Sequence, residues 1–263
     1  MNPDPAAKLR VCAVSYLNSV PLVWGMLHGA EQGLFEIEFS VPAECADRLA
    51  AGAADIGLVP SIELERQGLE LIPGAGVASR GAVRSILVVS KAEPGKIRRL
   101  AADANSRTSV VLAQIVLTRR YGADLELVSH PPDLEAMLAR ADAALLIGDP
   151  ALRLDLERLP YRVLDLGQEW TQMTGLPMVF AVWACVAGLQ PAGLAPAFLG
   201  SCRFGLQQLD DIVRLEAPRR GIPEALARRY LTTLIVHQHG EREYEGLRLF
   251  LEYARQLEVH AHA

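Results

Sequence analysis

Short apolar runs alternate with helical patterns over most of this chain of 263 residues. Apolar runs typical of buried strands occupy residues 10–15, 36–41 and 55–60. A helical pattern begins at Pro42, which suits the first helical position, and Glu44 places a carboxylate where the helix dipole favours one. This alternation predicts βαβ units, in which helices cover sheets that are mixed but mostly parallel.

A polar turn and a long apolar run divide the pattern into two predicted lobes. Residues 91–96 form the turn, and a second series of helices and strands follows it. The run at residues 179–186 is long enough to be a strand that leads the chain back to the first lobe. We therefore expect a two-lobed α/β protein with a ligand cleft between the lobes. Lobe one is predicted to comprise residues 1–90 and 187–263, and lobe two residues 91–186.

The charge balance and the cysteines argue against several classes of function. The chain has 26 basic and 31 acidic side chains, a net charge of −5 that disfavours nucleic acid as its main partner. Its four cysteines are far apart and lack the spacing of zinc ligands. Because no run of about 18 apolar residues occurs and residues 1–5 lack the features of a secretory signal, we expect a cytoplasmic protein without membrane contact. The sequence leaves the oligomeric state open.

Polar side chains follow the predicted strands at several strand-to-helix junctions. Ser15, Tyr16 and Asn18 follow the first strand, and Ser61 follows a later one. Open α/β sheets bind ligands at the carboxyl ends of their strands. Another polar group precedes the helical pattern at 108–121, where free N–H groups and the helix dipole favour a carboxylate. That group consists of Ser106, Arg107, Thr108 and Ser109. Together the junctions predict a cleft for a small anion.

Each of these residues also has a purely structural explanation. Asn18 belongs to a residue type favoured as a helix N-cap, and Ser106 and Thr108 can act as caps as well as ligands. Asp149 follows a buried strand, where its carboxylate acts either as a base or in a turn, and the proline after it favours the turn. Arg84 suits a solvated surface as well as an anion site. No histidine has triad-like surroundings, so solvated or capping roles are expected for all six.

Six motifs occur in a specific order between about residue 10 and residue 186. They are VSYLN at 14–18, DIGLVPS at 55–61, VRSI at 83–86, SRTS at 106–109, LIGDPA at 146–151, and WT at 170–171 with TGLPMVFAVW at 174–183. Each motif alone is weak evidence. Together, the chain resembles the chorismate dehydratases of the futalosine route to menaquinone.

The resemblance implies a type II periplasmic-binding-protein-like fold in a cytoplasmic enzyme without a metal or organic cofactor. It implies the dehydration of chorismate to 3-[(1-carboxyvinyl)oxy]benzoate, in which a ring hydroxyl and a ring proton are lost and the ring becomes aromatic. It places Asn18 at the reacting part of the substrate and Ser85 opposite it across the cleft, both as catalytic residues. The family does not require a protein carboxylate as base, and one hypothesis is that the enolpyruvyl carboxylate of the substrate takes the proton.

The predicted substrate-binding set extends beyond these two residues. Ser79 and Arg84 precede Ser85 on the same loop, and Gly175 and Met178 belong to a turn that is expected to close over the ligand. The full set is Ser15, Tyr16, Ser61, Ser79, Arg84, Ser106, Arg107, Thr108, Ser109, Asp149, Gly175 and Met178.

Three other functions fit the same predicted fold. A second enzyme of that pathway resembles the chain more loosely, but its catalytic histidine would fall in the motif at Gly148-Asp149, which has none. A solute-binding protein would use the same cleft, and the missing signal sequence argues against it. The effector-binding half of a transcription regulator would need a helix-turn-helix ahead of the fold, and the sequence shows none. The dehydratase is therefore the favoured prediction.

Overall fold

Two β-sheets organise the chain. The computed structural model describes the backbone of residues 8–261 and the side chains of residues 8–257. The first sheet contains β1 (Arg10–Val14), β2 (Glu36–Ser40), β3 (Ile56–Pro60), β4 (Glu70–Ser79), β10 (Met178–Cys185) and β11 (Val236–Gln238), in the order β11-β4-β10-β3-β1-β2. The second contains β5 (Ile86–Ser90), β6 (Arg99–Asp103), β7 (Glu126–His130), β8 (Ala143–Ile147) and β9 (Arg162–Asp165), in the order β7-β6-β8-β5-β9.

Helices connect the strands and cover the sheets. The α-helices are α1 (Val20–His28), α2 (Pro42–Ala50), α3 (Glu63–Arg66), α4 (Thr108–Tyr121), α5 (Leu134–Arg140), α6 (Gly148–Leu152), α7 (Leu166–Thr174), α8 (Pro191–Gln207), α9 (Leu209–Arg219), α10 (Glu224–Arg229) and α11 (Glu241–Ala261). Two 3-10 turns occur at Leu17–Ser19 and Pro94–Lys96, and a π-helical turn at Tyr230–Leu234. The two-lobed α/β class is therefore confirmed.

Antiparallel pairing is more common than the sequence predicts. Within the described residues, β1 pairs in parallel with β2 and β3, and β6 pairs in parallel with β7 and β8. Five further pairings are antiparallel, and each involves β4, β5 or β10. The expectation of mostly parallel sheets is wrong in this detail. The reason is that the chain passes between the lobes along these strands, which run against their neighbours.

The two strands at the predicted lobe boundaries each belong to the sheet of the other lobe. Ile86–Ser90, assigned above to lobe one, pairs with β8 and β9 in the second sheet. Met178–Cys185, assigned above to lobe two, pairs with β3 and β4 in the first sheet. The chain therefore crosses between sheets at 80–85 and again at 175–177, rather than near residues 90 and 186. Apart from Ser90, both strands are apolar runs, so local pattern alone cannot assign them to a sheet.

The C-terminal helices return to the first sheet and join it to the second lobe. Trp183 of β10 packs against Phe198 of α8, with ring centroids 4.8 Å apart. Trp170 of α7 meets Phe250 of α11 edge to face at 6.2 Å. The Arg119 guanidinium of α4 lies 4.0 Å above the ring of a tyrosine in α11. Helix α11 thus contacts elements of both sheets, which holds the lobes in one arrangement.

Candidate active site

A cavity lies between the two sheets and takes its walls from both lobes. It encloses about 470 Å³ including its open mouth. Its polar lining comes from Ser19 and from seven residues singled out in the sequence: Tyr16, Asn18, Ser85, Ser106, Arg107, Thr108 and Ser109. Apolar side chains complete the wall: Val14, Val77, Ile86, Ile147 and Phe180. The structure therefore brings Asn18, Ser85 and Ser106 together in one interlobe pocket.

Helix α4 points its N-terminus into this cavity. Its N-cap residue is Arg107, and no side chain caps the helix. The Thr108 hydroxyl instead accepts the Ile62 N–H at 3.2 Å and lies 3.3 Å from the Ser61 hydroxyl, so it connects α4 to lobe one. Because the first turn lacks a side-chain cap, its N–H groups and the positive end of the dipole are available to an anion.

Arg107 lines the cavity and pairs with two carboxylates. Its guanidinium lies 2.5 Å from the Asp47 carboxylate and 3.1 Å from the Glu63 carboxylate, and both carboxylates belong to lobe one. Glu63 is only 2% exposed, so this ion pair compensates a buried charge. The contacts place a positive charge beside the α4 N-terminus and fasten lobe two to lobe one.

Asn18 sits in the 3-10 turn between β1 and α1. The N-cap of α1 is Ser19, which makes no side-chain cap, so the capping explanation does not hold for Asn18. Its side-chain oxygen accepts the Ser19 hydroxyl at 3.1 Å, and its backbone oxygen lies 2.9 Å from Nε2 of His237. Burial lowers the pKa of His237 to about 4, so the imidazole is neutral near pH 7 and donates from Nε2.

Ser85 is held at the start of β5 by a strained turn. Arg84 has φ = +66°, a left-handed conformation that costs energy in a residue with a Cβ. The Asp165 carboxylate stabilises it by accepting the N–H groups of Val83 and Arg84. The Ser85 carbonyl accepts the Gly148 N–H at 2.7 Å. The Ser85 hydroxyl accepts a 2.7 Å hydrogen bond from the hydroxyl of a buried tyrosine on the C-terminal segment, Tyr230.

Asp149 fastens α6 to lobe one. Its carboxylate accepts the Leu17 N–H at 2.9 Å and lies 3.3 Å from the Arg220 guanidinium. Burial raises the pKa of this carboxyl. The neighbouring Gly148 lines the cavity and Asp149 does not, an arrangement that agrees with the structural role favoured from the sequence.

Several predicted binding residues make other contacts and are absent from the cavity wall. Ser15 lines an adjoining pocket beside Trp24. The Ser61 hydroxyl donates to the Val179 carbonyl at 2.8 Å, and the Ser79 hydroxyl donates to the Gly81 carbonyl at 2.9 Å. The Ser61 and Ser79 hydroxyls satisfy backbone oxygens, which agrees with a structural role, and the binding roles of these three serines stay predictions.

The remaining differences concern Arg84 and the turn before β10. The Arg84 guanidinium donates to the Ala151 and Leu154 carbonyls at the end of α6, so it faces lobe two. Gly175, with φ = +74°, ends α7 and lines a separate surface pocket. Met178 is fully buried in the first sheet. These residues end a helix and begin a core strand, and closure of the turn over the ligand stays a prediction.

The sequence does not predict two residues that lie behind the cavity wall, Tyr230 and His237. Tyr230 and His237 are both buried, and they contact Ser85 and Asn18 from positions 145 and 219 residues away. Their neighbourhood in the sequence carries no motif, so only the fold identifies them. The expected solvated or capping role is wrong for His237.

The described residues show neither a metal-binding cluster nor a helix that could cross a membrane. The described residues contain no cluster of three or more His, Cys, Asp or Glu side chains that could hold a metal ion. Among the helices that the structure describes, none is both long and apolar enough to cross a membrane.

The chain has a fold like that of the periplasmic binding proteins, with the cavity between its two lobes. A solved protein from Archaeoglobus fulgidus matches with a TM-score of 0.76 at 18% identity, covering 97% of this chain and 100% of that one. The periplasmic aliphatic sulphonate binding protein of Escherichia coli matches at 0.64 and 15% identity, covering 96% and 88%. These likenesses concern the fold alone.

Sequence comparison identifies the family. The chain belongs to the menaquinone biosynthesis family, whose model matches residues 9–256. It is 33% identical over 236 residues to the chorismate dehydratase of Thermus thermophilus, covering 83% of this chain and 86% of that protein. It is 25% identical over 254 residues to the chorismate dehydratase of Campylobacter jejuni, covering 94% and 97%. The resemblance drawn from the six motifs is confirmed.

Proposed function

We propose that this protein dehydrates chorismate to 3-[(1-carboxyvinyl)oxy]benzoate. The observation that carries the proposal is that one cavity, in a chain 33% identical to a chorismate dehydratase, joins Asn18 and Ser85 to the N-terminus of α4. A helix N-terminus beside Arg107 suits a carboxylate, and chorismate carries two. The amide and the hydroxyl suit the leaving group.

The reaction requires positioning more than strong acid or base chemistry. One ring hydroxyl leaves with the electron pair of its C–O bond. The electron pair of a ring C–H bond forms the new double bond. Aromatisation of the ring supplies a large driving force, so the protein contributes by aligning the substrate and stabilising charge as it develops. Hydrogen bonds from Asn18 and Ser85 to the departing oxygen provide that stabilisation.

The ring proton goes to the enolpyruvyl carboxylate of the substrate in this proposal. The described residues that line the cavity include no Asp, Glu or His side chain. Asp149, which follows the cavity residue Gly148, accepts the Leu17 N–H and pairs with Arg220. We expect Asp149→Asn to keep measurable turnover. Loss of turnover with chorismate binding retained would instead assign the base to Asp149.

The proposed compartment is the cytoplasm. The cysteines of the described chain are all free, and the Cys12 and Cys45 sulfurs lie 3.1 Å apart without a disulfide. Four cysteines without the spacing of a disulfide framework suit a reducing compartment. A small-molecule substrate is the only partner that this activity requires.

Incubation with chorismate tests the proposal against its main alternative. The expected result is a product lighter by one water, with a new aromatic absorbance that grows with enzyme concentration. A solute-binding protein, favoured only by the fold of the sulphonate binder, would saturate with ligand and release it unchanged. Unchanged chorismate after prolonged incubation with folded protein would overturn the dehydratase proposal.

A further inference from the structure

The π-helical turn at Tyr230–Leu234 places one tyrosine behind the cavity. The turn lies between α10 and β11, and Tyr230 is fully buried. π-Helical turns are rare and occur frequently at functional sites. The phenolic hydroxyl of Tyr230 donates to Ser85 Oγ at 2.7 Å. It also interacts with the side chain of Asn18, so one phenol contacts both predicted catalytic residues.

The direction of this hydrogen bond determines where the Ser85 proton can go. A serine hydroxyl has one proton and two acceptor sites. Since Tyr230 occupies an acceptor site, the Ser85 proton remains available to a ligand. The Ser85 backbone is already held through its carbonyl by Gly148, and the preceding turn is held by Asp165. The remaining freedom of Ser85 is rotation of its side chain and hydroxyl, which the phenol restricts.

We propose that Tyr230 is a positioning residue for the dehydration, acting through Ser85. This inference rests on the proposed function. The phenol fixes the Ser85 hydroxyl so that its proton faces the departing oxygen, and the hydrogen-bonded chain strengthens that donation. As the C–O bond breaks, its electron pair moves onto oxygen and the C–H pair forms the new ring bond. The ring proton passes to the enolpyruvyl carboxylate of the substrate and from there to the departing hydroxide, which leaves as water. Ser85 donates a hydrogen bond and loses no proton.

The variant Tyr230→Phe removes the phenolic oxygen and keeps the ring that fills the core. We expect kcat to fall about tenfold, the loss of one well-aligned hydrogen bond, with KM unchanged within about twofold. Tyr244→Phe is the matched control, because the Tyr244 oxygen also makes one hydrogen bond, accepting the Gly74 N–H at 2.6 Å outside the cavity. The two variants should unfold at similar temperatures, and Tyr244→Phe should retain wild-type kcat.

A double-mutant cycle with Ser85→Ala separates positioning from general packing. If Tyr230 acts through Ser85, adding Tyr230→Phe to Ser85→Ala lowers kcat by less than about twofold. A full tenfold loss in both backgrounds would overturn the inference, as would wild-type kcat in Tyr230→Phe. Both outcomes leave the proposed function intact, because wild-type turnover is measured in the same assay. Absence of turnover in the wild-type protein would overturn the proposed function and this inference with it.

Discussion

The closest packing against the cavity wall occurs at Gly148, and a methyl group there provides a sharp test. Gly148 has φ = +61°, and a Cβ built on it would lie 2.4 Å from Cδ2 of Tyr16. Gly122, which ends α4, has nearly the same backbone conformation at φ = +66°, but nothing lies within 4 Å of its Cβ position. Alanine at either position has the same left-handed strain, and only alanine at 148 meets the tyrosine ring.

The structure separates two contributions to the cost of these substitutions. Left-handed backbone strain costs an alanine about 1 kcal/mol at either site. Forcing a methyl group into a packed contact costs about 1–3 kcal/mol more. We therefore expect Gly148→Ala to lose about 2–4 kcal/mol and Gly122→Ala about 1 kcal/mol. For a chain of this size, each kcal/mol corresponds to about 2–4 °C in the melting temperature.

Calorimetric melting and kinetics together provide the assay. Gly148→Ala should melt several degrees below Gly122→Ala, and it should raise KM because Tyr16 forms part of the cavity wall. In a Tyr16→Ala background the extra cost at position 148 should disappear, since the clashing ring is gone. Equal melting temperatures for the two glycine variants, with unchanged kinetics in both, would refute the packing argument.

Three further variants test the site and its surroundings. Asn18→Ala should lower kcat by more than about tenfold, which corresponds to about 1.4 kcal/mol of barrier. The control Asn105→Ala, at a residue outside the cavity, should keep wild-type kcat. Equal activity of the two variants would contradict the role of Asn18. Arg107→Ala should raise KM for chorismate at least about tenfold. It should also lower the melting temperature, because the buried Glu63 loses an ion-pair partner. An unchanged KM would place Arg107 outside the binding site. His237→Gln tests a pH effect: the folded-state pKa of about 4 lies below the unfolded value of about 6.5, so the unfolded chain binds an extra proton between them. Wild-type stability should fall as pH is lowered through that window, by up to about 1.4 kcal/mol per unit from this histidine, and urea titrations from pH 7 to pH 4 should show a shallower loss in the variant.

Local patterns in the chain predicted most of its helices and strands, although not β6, and singled out most of the polar residues that line the cavity. Helix α4 begins at Thr108 and ends at Tyr121 as its apolar stripe predicts. The polar junctions at Asn18 and Ser106 lie at the cavity because parallel strands β1 and β6 end there, which is a consequence of βαβ geometry. Six short motifs were sufficient to identify the family.

Pairing over long sequence distances was decided only by the tertiary structure. Strand β5 is apolar except for Ser90 and β10 is apolar throughout, so their sequences do not record that β5 belongs to the second sheet and β10 to the first. Tyr230 and Ser85 are 145 residues apart in the sequence, and neither residue type nor periodicity predicts their contact. Residue periodicity records which side of an element is buried, whereas partners across the core are selected by the packing of the whole chain. The sequence alone therefore specified most of the elements, the family and the polar residues at the carboxyl ends of strands. Only the fold identified Tyr230 and His237, which lie behind those residues.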